Sequence, residues 1–263
     1  MSVQQLVTTT RGRGAPVVAA DTPPGTLGTV RNAALLLDLL SEGPAHHQLT
    51  DLAQASRLSL PTVHRLLRSL MVAGLVEQDT RSSRYSLGPD LVRLSERYLA
   101  RMPLLQVLGP YLVELRNRTT ATVGVALLVA VDVVYVERID GADVGGIFRR
   151  THRSLPAHAT AAGRVLLGRA GPGAWKQHEA NGWPLDAADC QAWGEAGHLA
   201  APLDELDGSV EVAVPILDAL GRASAALVAT GAPPAFTQAR LVADVVPHLA
   251  RIAERVSGTV GHA

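Results

Sequence analysis

The sequence predicts an α+β protein built from two unequal domains, and three observations carry that reading. Its 263 residues are 47% hydrophobic and 18% charged, more length and apolar material than one average domain needs. Residues 30–87 read as three short helices followed by a hairpin, whereas residues 123–256 read as strands joined by turns with helices among and after them. Aromatic residues are only 3% of the chain, so the cores are expected to be Ala, Val and Leu, and base stacking on aromatic platforms is not the expected mode of action.

The 24 basic and 24 acidic residues balance, which excludes a general coat of positive charge but leaves room for a local basic patch. Lys176 is the one lysine, so 23 of the 24 basic residues are Arg. Cys190 is the one cysteine; it makes no intrachain disulfide and no Cys-rich zinc site, which fits a cytoplasmic location. The longest apolar stretch, residues 123–136, is broken by Asp132 and falls short of the roughly 20 residues a membrane helix needs, so no membrane partner is expected. Residues 1–25, with Arg11 and Arg13 set among glycines and with Pro23-Pro24-Gly25, read as a disordered tail and not as a signal peptide.

In chain order, Val30, Ala33, Ala34, Leu37 and Leu40 recur at three- and four-residue spacing and predict a helix over residues 30–41, stopped by Gly43-Pro44. Thr50 is placed as the N-cap of a second helix with Leu52 and Ala53 facing inward. Arg57-Leu58 then turns the chain, and Ser59 caps a third helix, residues 60–73, with Pro61 in its first turn. On that helix Leu60, Val63, Leu66, Leu67, Leu70 and Met71 share one arc, and Thr62, His64, Arg65, Arg68 and Ser69 the other. Gly74 closes it. Residues 75–78 and 84–87 predict two short strands around a polar turn, so residues 26–88 form a winged helix-turn-helix.

An amphipathic helix taken alone commonly presents nothing more than a solvated face. Here the polar arc follows a short helix and a tight turn and precedes a wing carrying Arg81 and Arg84, the layout that lays one helix into a major groove about 12 Å wide. The candidate DNA contacts are Thr50, Ser59, Thr62, His64, Arg65, Arg68, Ser69, Arg81, Arg84 and Tyr85. Which arginine grips a base and which a phosphate stays open.

Several separate blocks, in order, resemble the IclR family of bacterial transcriptional regulators. They are Leu49-Thr50-Asp51-Leu52-Ala53, Leu60-Pro61-Thr62-Val63-His64-Arg65-Leu66-Leu67, Gly74-Leu75-Val76-Glu77 and Tyr85-Ser86-Leu87-Gly88 in the first domain. In the second they are residues 155–163, Asp204-Glu205 leading to Gly208, and Val212-Ala213-Val214-Pro215-Ile216. One block departs: Glu195-Ala196-Gly197-His198-Leu199 stands where the family usually has an Arg-Gly-aromatic stretch, so the loop bordering the effector site differs. The resemblance implies a linker helix over residues 89–102, which Leu91, Leu94, Tyr98 and Leu99 support, and an effector-binding and oligomerisation domain over residues 103–259 with a GAF- or PAS-like antiparallel sheet.

In that domain residues 123–128, 133–139, 144–148, 210–216 and 222–230 read as strands, and residues 157–169, 186–195 and 237–256 as helices, the last kinked at Pro247. A helix starting at Pro156 with small first residues would point free amides at a carboxylate, and Thr160 adds a hydroxyl. The resemblance implies an effector pocket there, using Ala157, His158, Ala159 and Thr160, walled by Val214 and Val228 with Thr230 nearby and Asp204 reaching a ligand hydroxyl. His158 is expected to bond neighbouring backbone.

The expectation is a ligand-responsive regulator, more a repressor than an activator, that binds double-stranded operator DNA as a homodimer or homotetramer under control of a small organic acid, with no metal or cofactor. The alternative is a small-molecule-processing enzyme, with Cys190 as nucleophile beside His178 or His198, or His152, His158 and Asp204 around a metal. No nucleophile elbow, phosphate-cradling glycine loop or paired-cysteine motif supports it.

Overall fold

Two structural units divide the chain, one ending at Leu99 and the other starting at Ala100. The computed structural model describes residues 27–141, 153–203 and 208–257. The expected N-terminal tail, the strand at residues 144–148, His152 and Asp204 therefore lie outside the described residues.

The first unit holds α1 (Gly28–Ser41), α2 (Leu49–Ser56), α3 (Leu60–Val72), β1 (Val76–Gln78), β2 (Tyr85–Leu87) and most of α4 (Asp90–Ala100). Leu36, Leu40, Leu52, Val63, Leu66, Leu67, Leu70 and Val76 form one core, with Leu36, Val63 and Leu67 wholly buried. The expected face of α1 is rotated: Leu36 and Leu40 are buried, whereas Val30 and Ala34 are exposed. Thr50 caps nothing, because α2 starts one residue earlier behind an extended Gln48, and its hydroxyl lies 3.4 Å from Asp51 Oδ1. Gly74, at φ +71°, ends α3 in a Schellman arrangement: its N–H donates to Met71 O at 3.0 Å and Leu75 N–H to Leu70 O at 3.0 Å. A Cβ at Gly74 would collide with the Asp90 carboxylate. The wing β1–β2 is antiparallel, Glu77 opposite Ser86, and His47 adds a two-bond bridge to Tyr85.

The second unit is a six-stranded antiparallel sheet in the order β5-β4-β3-β8-β7-β6. Its strands are β3 (Thr122–Val129), β4 (Asp132–Ile139), β5 (Arg153–Pro156), β6 (Leu199–Leu203), β7 (Ser209–Leu217) and β8 (Ala223–Gly231). Period-two alternation assigns its faces. Ala126, Val133, Leu155, Ala213, Ala226 and Val228 face α6 (Ala161–Ala170), whose Ala161, Ala162, Val165 and Leu166 complete that core. The alternate residues Val125, Leu227, Val212 and Ile216 are just as buried, covered by α5 (Pro103–Thr119) and α10 (Val246–Val256) on the opposite face. Gly168 of α6 and Gly194 of α8 (Ala187–Glu195) bring those helices to backbone contact; a Cβ on either would meet the other's backbone. Helix α7 (Pro172–Ala180) lies between them in sequence.

The C-terminal helix changes pitch just before Pro247, the residue expected to kink it. A short α9 (Gln238–Arg240), capped by Thr237 Oγ1, widens into a π turn at Leu241–Val245 before α10. The wider turn relieves the clash between the proline ring and the preceding carbonyls.

Candidate functional site: a winged helix and the start of helix α6

In α3 the apolar stripe fixes the orientation of the helix, and so fixes what its other side presents. Val63, Leu66, Leu67 and Leu70 point into the core, which leaves His64, Arg65, Arg68 and Ser69 exposed and Thr62 half-buried. Ser59 is the N-cap residue by position, but its hydroxyl pairs with Thr62 Oγ1 at 2.8 Å instead of a backbone N–H. Ser69 Oγ donates to Arg65 O at 3.1 Å, so it is tied to its own helix.

The wing turn is built around Asp79. Its carboxylate accepts from Arg81 N at 3.0 Å, from Ser82 N at 3.3 Å and from the Ser82 hydroxyl at 2.5 Å, and these bonds, the hydroxyl first, hold its pKa below the usual carboxylate range. Arg81 and Arg84 stand exposed around that turn. Tyr85 does not join them: strand alternation turns its ring inward, leaving it 4% exposed in the core. Among the described residues, none of Arg65, Arg68, Arg81 and Arg84 is paired with a carboxylate. Four unpaired guanidinium groups on a helix and the hairpin that follows it are free to take phosphate oxygens or guanine edges.

In the second unit the expected helix from Ala157 divides. Ala157–Ala159 form a 3-10 turn, and α6 begins after Thr160, whose side chain accepts from Gly163 N at 2.9 Å. Thr160 is therefore a helix cap, 1% exposed, and the Ala157 amide is not free, since it donates to Val131 O at 3.0 Å. Gly163 is required here, because a Cβ would overlap Ala157.

The acceptor that sits at this helix start belongs to the protein. Glu211 of β7, wholly buried, accepts from Ala162 N at 2.9 Å through Oε1 and from the Tyr135 hydroxyl at 2.6 Å through Oε2. Strand register places Thr230 opposite Glu211, and Val228 lies on the same sheet face. Val214 lies on the other face, paired with Leu227, because one step along a strand reverses the side chain. Val228 and Thr230 thus share the α6 side with Glu211 and Tyr135, and Val214 does not.

His158 bonds a side chain and not the backbone. Its Nδ1 lies 3.0 Å from His178 Nε2, its ring is 4.4 Å from that of Trp183, and its carbonyl accepts from Arg164 Nε at 2.7 Å. His178 is wholly buried, and burial, then the neighbouring His158, push its pKa down to about 4. Burial, followed by Arg164, lowers that of His158 as well. Burial raises the Cys190 thiol above its ordinary range, assisted by Asp189, so it stays protonated and suits packing, not nucleophilic attack. Among the described residues no group of three or more His, Cys, Asp or Glu side chains could hold a metal ion.

Comparison with known proteins agrees with this geometry in both units. Residues 29–80 match the IclR helix-turn-helix domain, and residues 96–180 match the bacterial transcriptional regulator IclR C-terminal domain. The chain belongs to the IclR family. It is 33% identical to the HTH-type transcriptional regulator XynR of Escherichia coli over 139 residues, 53% of this chain and 55% of XynR. The chain thus spans about half the length of the curated IclR relatives it matches. Among solved structures, an IclR transcriptional regulator from a Silicibacter species is 26% identical with a TM-score of 0.71, covering 88% of this chain and 97% of that one. An IclR homologue from Microbacterium hydrocarbonoxydans, complexed with 4-hydroxybenzoate, shares the fold at 23% identity with a TM-score of 0.61, covering 87% of this chain and 97% of that one. The related proteins are named as transcriptional regulators, not enzymes. No helix among the described residues is long and apolar enough to cross a membrane.

Proposed function

We propose that this chain is a ligand-responsive transcriptional repressor that binds double-stranded operator DNA through α3 and the wing, under control of a small organic acid. The observation that carries the reading is the exposed set of arginines, none paired with a carboxylate among the described residues: Arg65 and Arg68 on a helix oriented by its own buried stripe, and Arg81 and Arg84 on the wing that follows it. Ser59, Thr62, His64 and Ser69 supply shorter contacts on the same helix, and Thr50 one from the start of α2. One such module offers only about 600–1,000 Å², so selective binding calls for two copies on a pseudo-palindromic site. Helix α4 supports self-association: it buries no side chain within its own chain, and Val92, Leu94 and Tyr98 are 66%, 47% and 64% exposed.

The effector enters between α6 and the sheet, bordered by the Ala157–Ala159 turn, Thr160, Glu211, Val228 and Thr230. An acid there meets the Ala162 amide that Glu211 already occupies, so binding exchanges one carboxylate for another and shifts the two arrangements of this helix start. The structural neighbour that carries 4-hydroxybenzoate supports an acid of that size. Selection of genomic fragments by the purified chain tests the reading. Enrichment of a pseudo-palindromic sequence, released by one member of an organic-acid panel, supports it; recovery of no preferred fragment overturns it.

A further inference from the structure

On the sheet face opposite α6, helices α5 and α10 run side by side, and each turns one stripe of its surface into the groove between them. The stripes have the same i, i+3, i+4, i+7 spacing: Tyr111, Glu114, Leu115 and Arg118 on α5, and His248, Arg251, Ile252 and Arg255 on α10. They line a groove, open to solvent on one side, of about 150 Å³. Its floor is apolar, Leu115 being buried and Ile252 half-buried, and its rim holds three guanidinium groups against one carboxylate.

The single carboxylate is already engaged: Glu114 Oε1 accepts from Arg118 Nη1 at 3.1 Å. Arg255 lies 6.0 Å over the Tyr111 ring, and Arg251 Nη1 approaches His248 Nδ1 at 3.5 Å, so both lean on groups that leave their charge uncompensated. Among the described residues neither Arg251 nor Arg255 pairs with a carboxylate. Two unneutralised guanidinium groups one helical turn apart, over an apolar floor, define a ligand with two acidic groups carried on a compact hydrocarbon body. The volume agrees, since an apolar cavity of about 150 Å³ holds a benzene ring.

We propose that the groove between α5 and α10 is a second small-molecule site, selective for a compact organic dianion and separated by the sheet from the pocket at α6. Arg251 and Arg255 take the two acidic groups as charge-assisted hydrogen bonds, and Leu115, Ile252 and the edge of Tyr111 take the hydrocarbon. The site does not depend on the effector reading given above, because it shares no residue with it.

Phthalate, a benzene ring bearing two adjacent carboxylates, is the probe. Calorimetric titration of the full chain should show saturable phthalate binding that weakens at least about tenfold in Arg251→Gln and again in Arg255→Gln, while Glu211→Gln leaves this binding unchanged. Both arginines are exposed, so neither variant is expected to alter the fold. Binding that ignores both arginine variants, or that responds to Glu211→Gln instead, overturns the proposal. Inorganic phosphate binding as tightly as phthalate overturns the hydrocarbon selectivity. A change of sedimentation in the two variants without a change in phthalate affinity means that a second copy of the chain covers the groove, and overturns it too.

Discussion

Replacing Glu211 by Gln separates the charge at the start of α6 from its shape. The carboxylate is wholly buried and accepts from Ala162 N and the Tyr135 hydroxyl. Gln keeps an oxygen for Ala162, and its amide can donate to the Tyr135 oxygen, so both of these hydrogen bonds can survive the change. Ligand binding should change far more. An acid that approaches the first turn of α6 comes within about 4 Å of the Glu211 carboxylate, where two like charges repel by about 4 kcal/mol at an effective dielectric of 20. Even if the ligand shifts to relieve half of that, removing the charge should tighten binding by about 10- to 100-fold. The assay is calorimetric titration of wild type and Glu211→Gln with the tightest hydroxyl-free monoacid of a small panel, since a hydroxyl could donate to Glu211 and reverse the sign. Equal affinities, or weaker binding by the variant, would refute the placement of the acid at this helix start.

Three further outcomes follow from packing and titration. Gly163→Ala forces a methyl group into Ala157, so it should loosen the turn before α6 and lower both thermal stability and acid binding, whereas the same change at the open Gly173 should do neither. Leu67→Ala empties a site with no exposure in the winged-helix core and should cost about 2–5 kcal/mol in urea unfolding of the first unit; a loss below about 1 kcal/mol would mean that α3 is not held by this stripe. His178 titrates near 4 when folded against an ordinary 6.5, so the unfolded chain takes up the proton first as pH falls. Its contribution is complete above pH 6.5 and is lost on acidification from about 6.5 to 4, by on the order of 3 kcal/mol, and His178→Gln should flatten that limb of the stability curve.

The sequence was most legible where one period dominated. The 3.6-residue stripe of α3 and the glycine after it located the buried and exposed sides of that helix almost residue by residue, and the long apolar strands β3, β7 and β8 were plain. Helix α5 escaped because Gly109 and Pro110 fall in its middle, where both residue types argue against a helix; the proline is tolerated on the exposed side. Strand β6 is short and contains Pro202, which an edge strand can accept.

At the pocket the small residues from 157 to 163 suggested one uninterrupted helix, yet Thr160 carried the signal of a cap, a hydroxyl three residues before the glycine whose N–H it accepts. Glu211 was passed over as a charge in a strand. Its neighbours Val210, Val212, Ala213 and Val214 are apolar on both alternations, and that pattern marks a strand covered on both faces, where a lone carboxylate must find internal donors. The inward ring of Tyr85 and the placing of Val214 on the opposite, equally buried sheet face have the same origin: a side chain's face in a strand depends on register, and one residue decides it.

Whether α3 holds DNA decides the proposed function. Fluorescence anisotropy of a duplex recovered by fragment selection, titrated with wild type, Arg65→Ala and Arg68→Ala, measures this directly. Each substitution should weaken binding by about 1–3 kcal/mol with an unchanged circular-dichroism melt, and Arg84→Ala should reduce the salt slope by about one ion. If both α3 variants bind the duplex as tightly as wild type, the exposed arginine face of this helix is only a solvated surface and the central claim is contradicted.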